Sequence, residues 1–285
     1  MSNMKLAVLS DIHANHTALE AVLEQIYAGD YDRLVFLGDY VTDCPNPRKT
    51  LELLHSVPAR YDPVFIRGNR EDYLIAHRRN PSGWERGSKT GALLYTFENL
   101  RGEDFDWFET LPISARLGLC GCPPLIACHG SPTKSNYLFH TETPEAEALL
   151  ASLDCDTLLC GHSHAPYIFR RGARQIINAG ALGMPKNGQT AAQFMRVECD
   201  GGEWRAELVS VEYDIESEVA EFLSSGLLEQ SGTWGRALVG TLRCGVNYSV
   251  HCLREVERLS AESGLPVTDE ALWRQAAENI GLPEI

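Results

Sequence analysis

Asp156-Thr157-Leu158-Leu159-Cys160-Gly161-His162-Ser163-His164 is an apolar run that stops at a glycine and leads directly into two histidines one residue apart. A run this short and apolar reads as a strand, so the histidines fall where a strand ends. Four upstream stretches have the same build. Residues 5–9 run into Asp11-Ile12-His13, residues 33–37 into Gly38-Asp39, residues 63–66 into Gly68-Asn69-Arg70-Glu71, and residues 125–128 into His129-Gly130. Between them Leu19, Val22, Leu23 and Ile26 recur at helical spacing, and Pro47 opens a helix carrying Leu51, Leu53 and Leu54. Thr143-Pro144-Glu145 pairs a capping residue with proline at the first helical position. Strands alternating with helices predict an α/β fold whose parallel strands end along one edge, where such folds hold their ligands.

From about Glu71 to Leu111 the periodicity is helical but broken at Pro81-Ser82-Gly83 and Arg101-Gly102, which predicts several short helices capping the site. Arg78, Arg79 and Arg86 read first as a solvated helical face and second as substrate contacts. Residues 167–169, 175–178, 192–198 and 204–211 read as strands joined by short turns at 171–172 and 201–202. Short turns impose antiparallel pairing and suggest a second sheet. After Tyr213-Asp214 the pattern is helical, with Val219, Phe222 and Leu223 on one face and Leu253, Val256 and Leu259 on another. The expected organisation is a catalytic domain over residues 1–213 and a helical extension over 214–285 that covers the site, forms a homodimer contact or packs on the second sheet. Trp234 and Trp273 read first as core residues and second as interface anchors.

A chain of 285 residues with 44% hydrophobic and 22% charged residues has the composition of a globular protein. No apolar run approaches the roughly 18 residues of a membrane helix. The N-terminus lacks a secretory pattern, so no membrane association and a cytoplasmic location are expected. The nine scattered cysteines fit that compartment, and Cys120-Gly121-Cys122 reads as a turn. A net charge of −14 argues against nucleic acid as a partner and in favour of a small phosphorylated substrate drawn to a local positive site.

The polar clusters carry metal-binding chemistry. Residues two apart in an extended segment point the same way, so Asp11 and His13 are expected to grip one ion together, and His162 and His164 share that spacing. Asp39 has two oxygens with which to bridge two ions, and Asn69 and His129 complete the second position. Nitrogen and oxygen donors without thiolate suit manganese first, with iron, zinc, cobalt or nickel as alternatives. Two such cations promote in-line displacement at phosphorus. Taken singly, Asp11 reads as a helix cap, His129 as a satisfied buried histidine, and Gly38-Asp39 and Gly68-Asn69 as turns. Those readings leave unexplained why every cluster falls at a strand end and why together they fill two coordination shells.

The ordered set D-x-H, G-D, G-N-x-E, H-G and G-H-x-H over residues 4–200 resembles the calcineurin-like metallophosphoesterases. The resemblance implies two packed mixed β-sheets flanked by helices. It implies a first ion held by Asp11, His13, Asp39 and His164, and a second by Asp39, Asn69, His129 and His162. Asn15, Pro45-Asn46-Pro47 and Asn178-Ala179-Gly180-Ala181 resemble the bacterial branch of small phosphodiesterases and dinucleoside polyphosphate hydrolases. Many members carry histidine where this chain has Arg70, which cannot give up a proton but grips a phosphate oxygen. The expected function is therefore hydrolysis of phosphodiester, phosphoanhydride or activated phosphomonoester bonds of small substrates, nucleotides and dinucleoside polyphosphates being among the candidates, with Asp39 and Arg70 catalytic and Arg70, Asn15 and His16 binding substrate. His16 and His140 are further candidates for an acid, with capping or surface roles as the plainer alternative. The competing readings are a protein phosphatase and a catalytically silent scaffold.

Overall fold

The computed structural model describes residues 4–139 and 143–285. The first sheet takes β1 (Met4–Leu9), β2 (Arg33–Phe36), β3 (Val64–Phe65), β9 (Ala192–Asp200) and β10 (Glu203–Val211) in the order β10-β9-β1-β2-β3. The second takes β4 (Ser114–Leu117), β5 (Leu125–Cys128), β6 (Thr157–Cys160), β7 (Tyr167–Arg171) and β8 (Arg174–Asn178) in the order β4-β5-β6-β8-β7. β1, β2 and β3 run parallel, as do β5, β6 and β8.

Burial on both faces explains the continuous apolar runs. In β1, Leu6 and Val8 enter a core shared with Leu125 and Leu159 of the second sheet. Ala7 and Leu9 face the other way, toward Leu19, Val22 and Ile26 of α1 (His16–Ala28) and Leu51 and Leu54 of α2 (Pro47–His55). Leu158 and Ile176 pack beneath Ala146 and Leu150 of α6 (Pro144–Ser152), the outer layer of the second sheet. Two packed sheets flanked by helices is the architecture expected.

The division of strands between the sheets differs from the expectation. The two antiparallel hairpins do not make one sheet: β7–β8 joins β6, whereas β9–β10 joins β1 through pairs such as Val8↔Met195. A short turn fixes who pairs with whom but not which sheet receives the pair. β9 goes to the first sheet because it buries both faces there, Phe194 with the α1 layer and Met195 and Val197 between the sheets. β4 was not anticipated, because Ser-Ala-Arg-Leu carries no apolar run.

The middle forms α3 (Asn69–Arg79), α4 (Gly91–Glu98) and α5 (Gly102–Thr110). Arg78 and Arg79 pair with Asp106 and Glu109 at the exposed surface, the solvated alternative. The tail forms α7 (Ile215–Ser224), α8 (Leu227–Cys244, kinked at Gly232), α9 (Tyr248–Ser263) and α10 (Glu270–Asn279). Val219, Phe222, Leu238 and Leu242 pack with Ala92 and Tyr95 of α4 and with Ala14, Cys44 and Met184 from loops at the strand ends. The tail therefore lies beside the functional edge. Leu223 was expected on the buried face but is 47% exposed, one position beyond the stripe that Val219 and Phe222 define. Among the described residues no helix is long and apolar enough to cross a membrane.

Candidate metal centre

The ligand-bearing residues sit in tight loops and not in extended backbone. Asp11 (φ 55°), His13 (φ 52°), Asp39 (φ 55°), His162 (φ 67°) and His164 (φ 56°) are all left-handed. The expectation that residues two apart would align as in a strand therefore fails in its reason: Asp11 and His13 do fall in one group, but His162 and His164, read the same way, fall in different ones. Left-handed backbone at non-glycine residues persists where the surroundings over-determine it. Here the loops are laced together: Asp11 N–H donates to Gly38 O (3.1 Å), His13 N–H to Asp39 O (2.9 Å) and Gly161 N–H to His129 O (2.8 Å). Glycine permits two of the close approaches. A Cβ at Gly68 would lie 2.3 Å from the Asp39 amide nitrogen, and one at Gly161 would lie 1.9 Å from Ser10 Oγ.

Glu71 holds two of these loops in place. Its buried carboxylate accepts from the amides of Asp39 (2.9 Å), Tyr40 (2.8 Å) and Gly68 (2.8 Å). Burial and the neighbouring Asp39 charge push its carboxyl up to about 7. Asn178 braces the histidine loop, donating to Gly161 O at 2.7 Å.

Two groups of side chains converge. The ligand atoms of Asp11, His13 and His164 lie within 4.8 Å of one another, as do those of Asp39, His129 and His162. Asn69 joins the second group, with its Oδ1 3.1 Å from His129 Nε2. His129 Nδ1 donates to Leu37 O (2.8 Å) and His164 Nδ1 to Met184 O (2.7 Å). His13 Nδ1 sits 3.2 Å from the Asp43 carboxylate. The Nδ1 of His129 and of His164 faces a carbonyl that can only accept and so carries a ring proton, and His13 Nδ1 lies between the Asp43 carboxylate and the Thr42 hydroxyl at 3.0 Å; in its neutral form each ring then presents an Nε2 lone pair inward.

Those lone pairs meet other acceptors. His13 Nε2 and His164 Nε2 are 3.1 Å apart, and His129 Nε2 is 3.3 Å from Asp39 Oδ2. Asp11 Oδ1 is buried without a hydrogen-bond partner among the described residues. Acceptors forced together away from water are costly unless a cation lies between them, so the residues present fit divalent metal.

The electrostatics agree. Burial opposes charge on His129, but Asp39 and Asp11 outweigh it and push the imidazole up to about 9. Burial and then the Lys186 charge push His164 well below its ordinary value. Metal must therefore displace a proton from His129 at neutral pH. The apparent affinity for manganese should rise about tenfold per pH unit from 7 and flatten above the His129 value. Calorimetry in buffers of different ionisation enthalpy measures this, and an affinity independent of pH would contradict it.

Two polar residues at the site were not anticipated. Asp43 is buried with φ 72°, its Oδ2 3.1 Å from Arg70 Nη2 as well as near His13. Burial opposes its ionisation, but Arg70 and His13 hold the carboxyl well below the usual range. Lys186 follows the Met184 loop and feels the charges of Asp43 and Arg70. Neither stands beside a patterned motif in the sequence, so no spacing signal marks them.

Arg70 lies over the centre, its Nε 4.0 Å from Asp39 Oδ2 and its amide donating to Asp39 Oδ1 at 2.9 Å. Asn15 and His16 both have partners within the fold. The Asn15 side chain is buried as the cap of α1, accepting from Ala18 N–H (3.0 Å) and donating to Gly183 O (2.8 Å) and Tyr213 Oη (3.1 Å). His16 faces α7, its ring nitrogens 3.5 Å from Glu218 and 3.6 Å from Glu221. His140 lies outside the described residues.

The fold and site define a phosphoesterase. Residues 4–202 match the calcineurin-like phosphoesterase superfamily domain, and the chain belongs to that family of hydrolases acting on phosphoester bonds. It is similar to an uncharacterised protein, MJ0912, of Methanocaldococcus jannaschii, 25% identical over 81% of this chain and 97% of that protein. It is also similar to phosphodiesterase YfcE of Escherichia coli, 28% identical over 67% of this chain and 86% of that enzyme. Among solved structures, a metallophosphoesterase from Sphaerobacter thermophilus superposes with a TM-score of 0.68 at 27% identity, covering 85% of this chain and all of that one. The PH1004 protein of Pyrococcus horikoshii shares the fold at a TM-score of 0.71 and 21% identity, covering 85% of this chain and 98% of that one.

Proposed function

We propose that this chain is a two-cation phosphohydrolase of small substrates, cleaving phosphodiester, phosphoanhydride or activated phosphomonoester bonds, with manganese as the first candidate metal. The observation that carries the reading is the convergence of Asp11 Oδ1, Asp39 Oδ2 and the Nε2 atoms of His13, His129 and His164, all of them acceptors once the His129 proton is displaced, so that cations take the place of protons between them. Asp11, His13, Asp39 and His164 on one side and Asp39, Asn69, His129 and His162 on the other would hold two divalent cations, which would supply Lewis acidity toward the phosphoryl group and the attacking water. The likeness to phosphodiesterase YfcE supports a diester as one substrate form.

The chain's own residues contribute orientation and charge. Arg70 aims its guanidinium across the centre, and Asp43 at 3.1 Å fixes its plane so that its remaining donors meet a phosphoryl oxygen. Arg70 has no proton to give at working pH, so the leaving oxygen must depart as a stable anion. Phosphates and phenolates do so unaided, whereas an alkoxide needs a general acid, whose absence costs about 10²–10⁴-fold. Arg70→His should therefore raise the ratio of alkyl to aryl diester kcat/KM at least tenfold, even as the loss of the guanidinium lowers aryl turnover. The test is turnover of both esters by the manganese-loaded protein. Equal change on both would refute the leaving-group argument, and no turnover of either by the parent would refute the phosphohydrolase reading.

A further inference from the structure

Beside the metal centre lies a cavity of about 300 Å³ walled jointly by site loops and tail helices. Its charged lining is Arg70, Lys89 and Lys186 against a single carboxylate, Asp43, in a chain whose net charge is −14. Asp43 is already engaged by Arg70 and His13, and Lys89 and Lys186 make no ion pair among the described residues. The position of Lys89 is built into the fold. Gly87 N–H donates to Gln230 O (2.8 Å). Glu270 of α10 accepts from the amide (2.6 Å) and hydroxyl (2.7 Å) of Ser88, whose oxygen accepts from Thr233 N–H at 2.9 Å. The remaining wall is apolar: Leu93, Leu253 and the half-buried Trp234 line it, and the fully buried Trp273 supports Trp234 edge to face at 6.2 Å.

We infer that this cavity receives the leaving group, and that the leaving group carries both a phosphate of its own and a flat apolar body, the chemistry of a nucleotide. The inference rests on the phosphohydrolase reading and names its substrate class. Arg70 and Lys186 are half-buried with one carboxylate, Asp43, between them and Lys89 is exposed beside them, so the cavity carries an excess of positive charge that an anionic ligand neutralises. A second phosphate joined to a ring system matches the cations and the apolar wall together. The chemistry is consistent with Arg70. Water oxygen bonds to phosphorus, the bond from phosphorus to the bridging oxygen breaks, and its electron pair leaves on a nucleotide phosphate that is a stable anion. The proton of the attacking water passes to solvent.

Two arms test the inference. In the first, kcat/KM of the manganese-loaded protein is compared for ADP, whose leaving group would be AMP, and for bis(4-nitrophenyl) phosphate, whose leaving group has a ring but no phosphate. Lys89→Gln should lower the ratio of ADP to aryl diester activity about tenfold or more, the effect of removing one hydrogen bond to a charged group. An unchanged ratio would overturn the inference. In the second arm, metal-free protein is titrated with AMP and followed by tryptophan fluorescence. AMP should quench a signal that Trp234→Phe removes, and Lys89→Gln should weaken its binding by a similar factor. Pyrophosphate binding as tightly as AMP would overturn the nucleotide assignment, as would absent quenching. If the parent hydrolyses neither compound, the phosphohydrolase reading fails while AMP titration still decides the subsite.

Discussion

Asp39→Asn lowers kcat/KM on an aryl phosphodiester by more than about 10²-fold, the upper end of what removing a residue that merely supports a metal ligand costs. Asp39 faces both groups, its Oδ2 3.3 Å from His129 Nε2 and 3.9 Å from His13 Nε2. Asparagine has the same shape but no charge, and one of its two positions is a donor among acceptors. The backbone contacts of residue 39, including its amide to Glu71 and its carbonyl to the His13 amide, are untouched by the change. The variant should therefore fold normally while holding fewer than two cations. Steady-state kinetics with metal analysis on the same sample provides the check, and activity within tenfold of the parent would contradict the bridging role.

Glu71→Ala is expected to have the largest effect on stability. It deletes the acceptor of three buried amides, and an unsatisfied buried donor costs about 1–3 kcal/mol. The sum is about 3 kcal/mol or more. At roughly 2–4 °C per kcal/mol the melting midpoint of the metal-free protein should fall by at least roughly 6 °C. Glu71→Gln keeps one oxygen acceptor and removes the charge of a buried carboxyl that burial and the neighbouring Asp39 push up to about 7, so its loss should be clearly smaller. Calorimetry on both variants separates these outcomes, and equal shifts would show that the three amides are satisfied in another way.

The contrast between what spacing revealed and what it did not has a physical basis. Strand-ending clusters were legible because the run and the ligands are local: Leu158-Leu159-Cys160 and His162-x-His164 adjoin in the chain and remain adjacent in space. The sheet that received each hairpin was not legible, because β8 and β9 choose neighbours by burying faces against strands more than ten residues away. The handedness of the ligand loops was invisible for a related reason, since left-handed backbone at Asp11 or His164 is enforced by hydrogen bonds from other loops. Asp43 and Lys186 are single polar residues in irregular segments, and only tertiary contact brings them to Arg70. Asn15 and His16 show the converse. Both neighbour a ligand-bearing motif, yet one caps a helix and the other turns to carboxylates of the tail.

The tail also changes the meaning of the acidic balance. A net charge of −14 describes the whole surface, but the lining shared by the centre and the tail helices holds three cations and one carboxylate. Local potential in a cleft, not net charge, decides which small anion enters.

The most direct measurement is the number of manganese ions retained per chain after loading and desalting, with their positions located by anomalous scattering in crystals. The account predicts two, one among Asp11, His13, Asp39 and His164 and one among Asp39, Asn69, His129 and His162. A single ion, no ion, or ions bound elsewhere would contradict it.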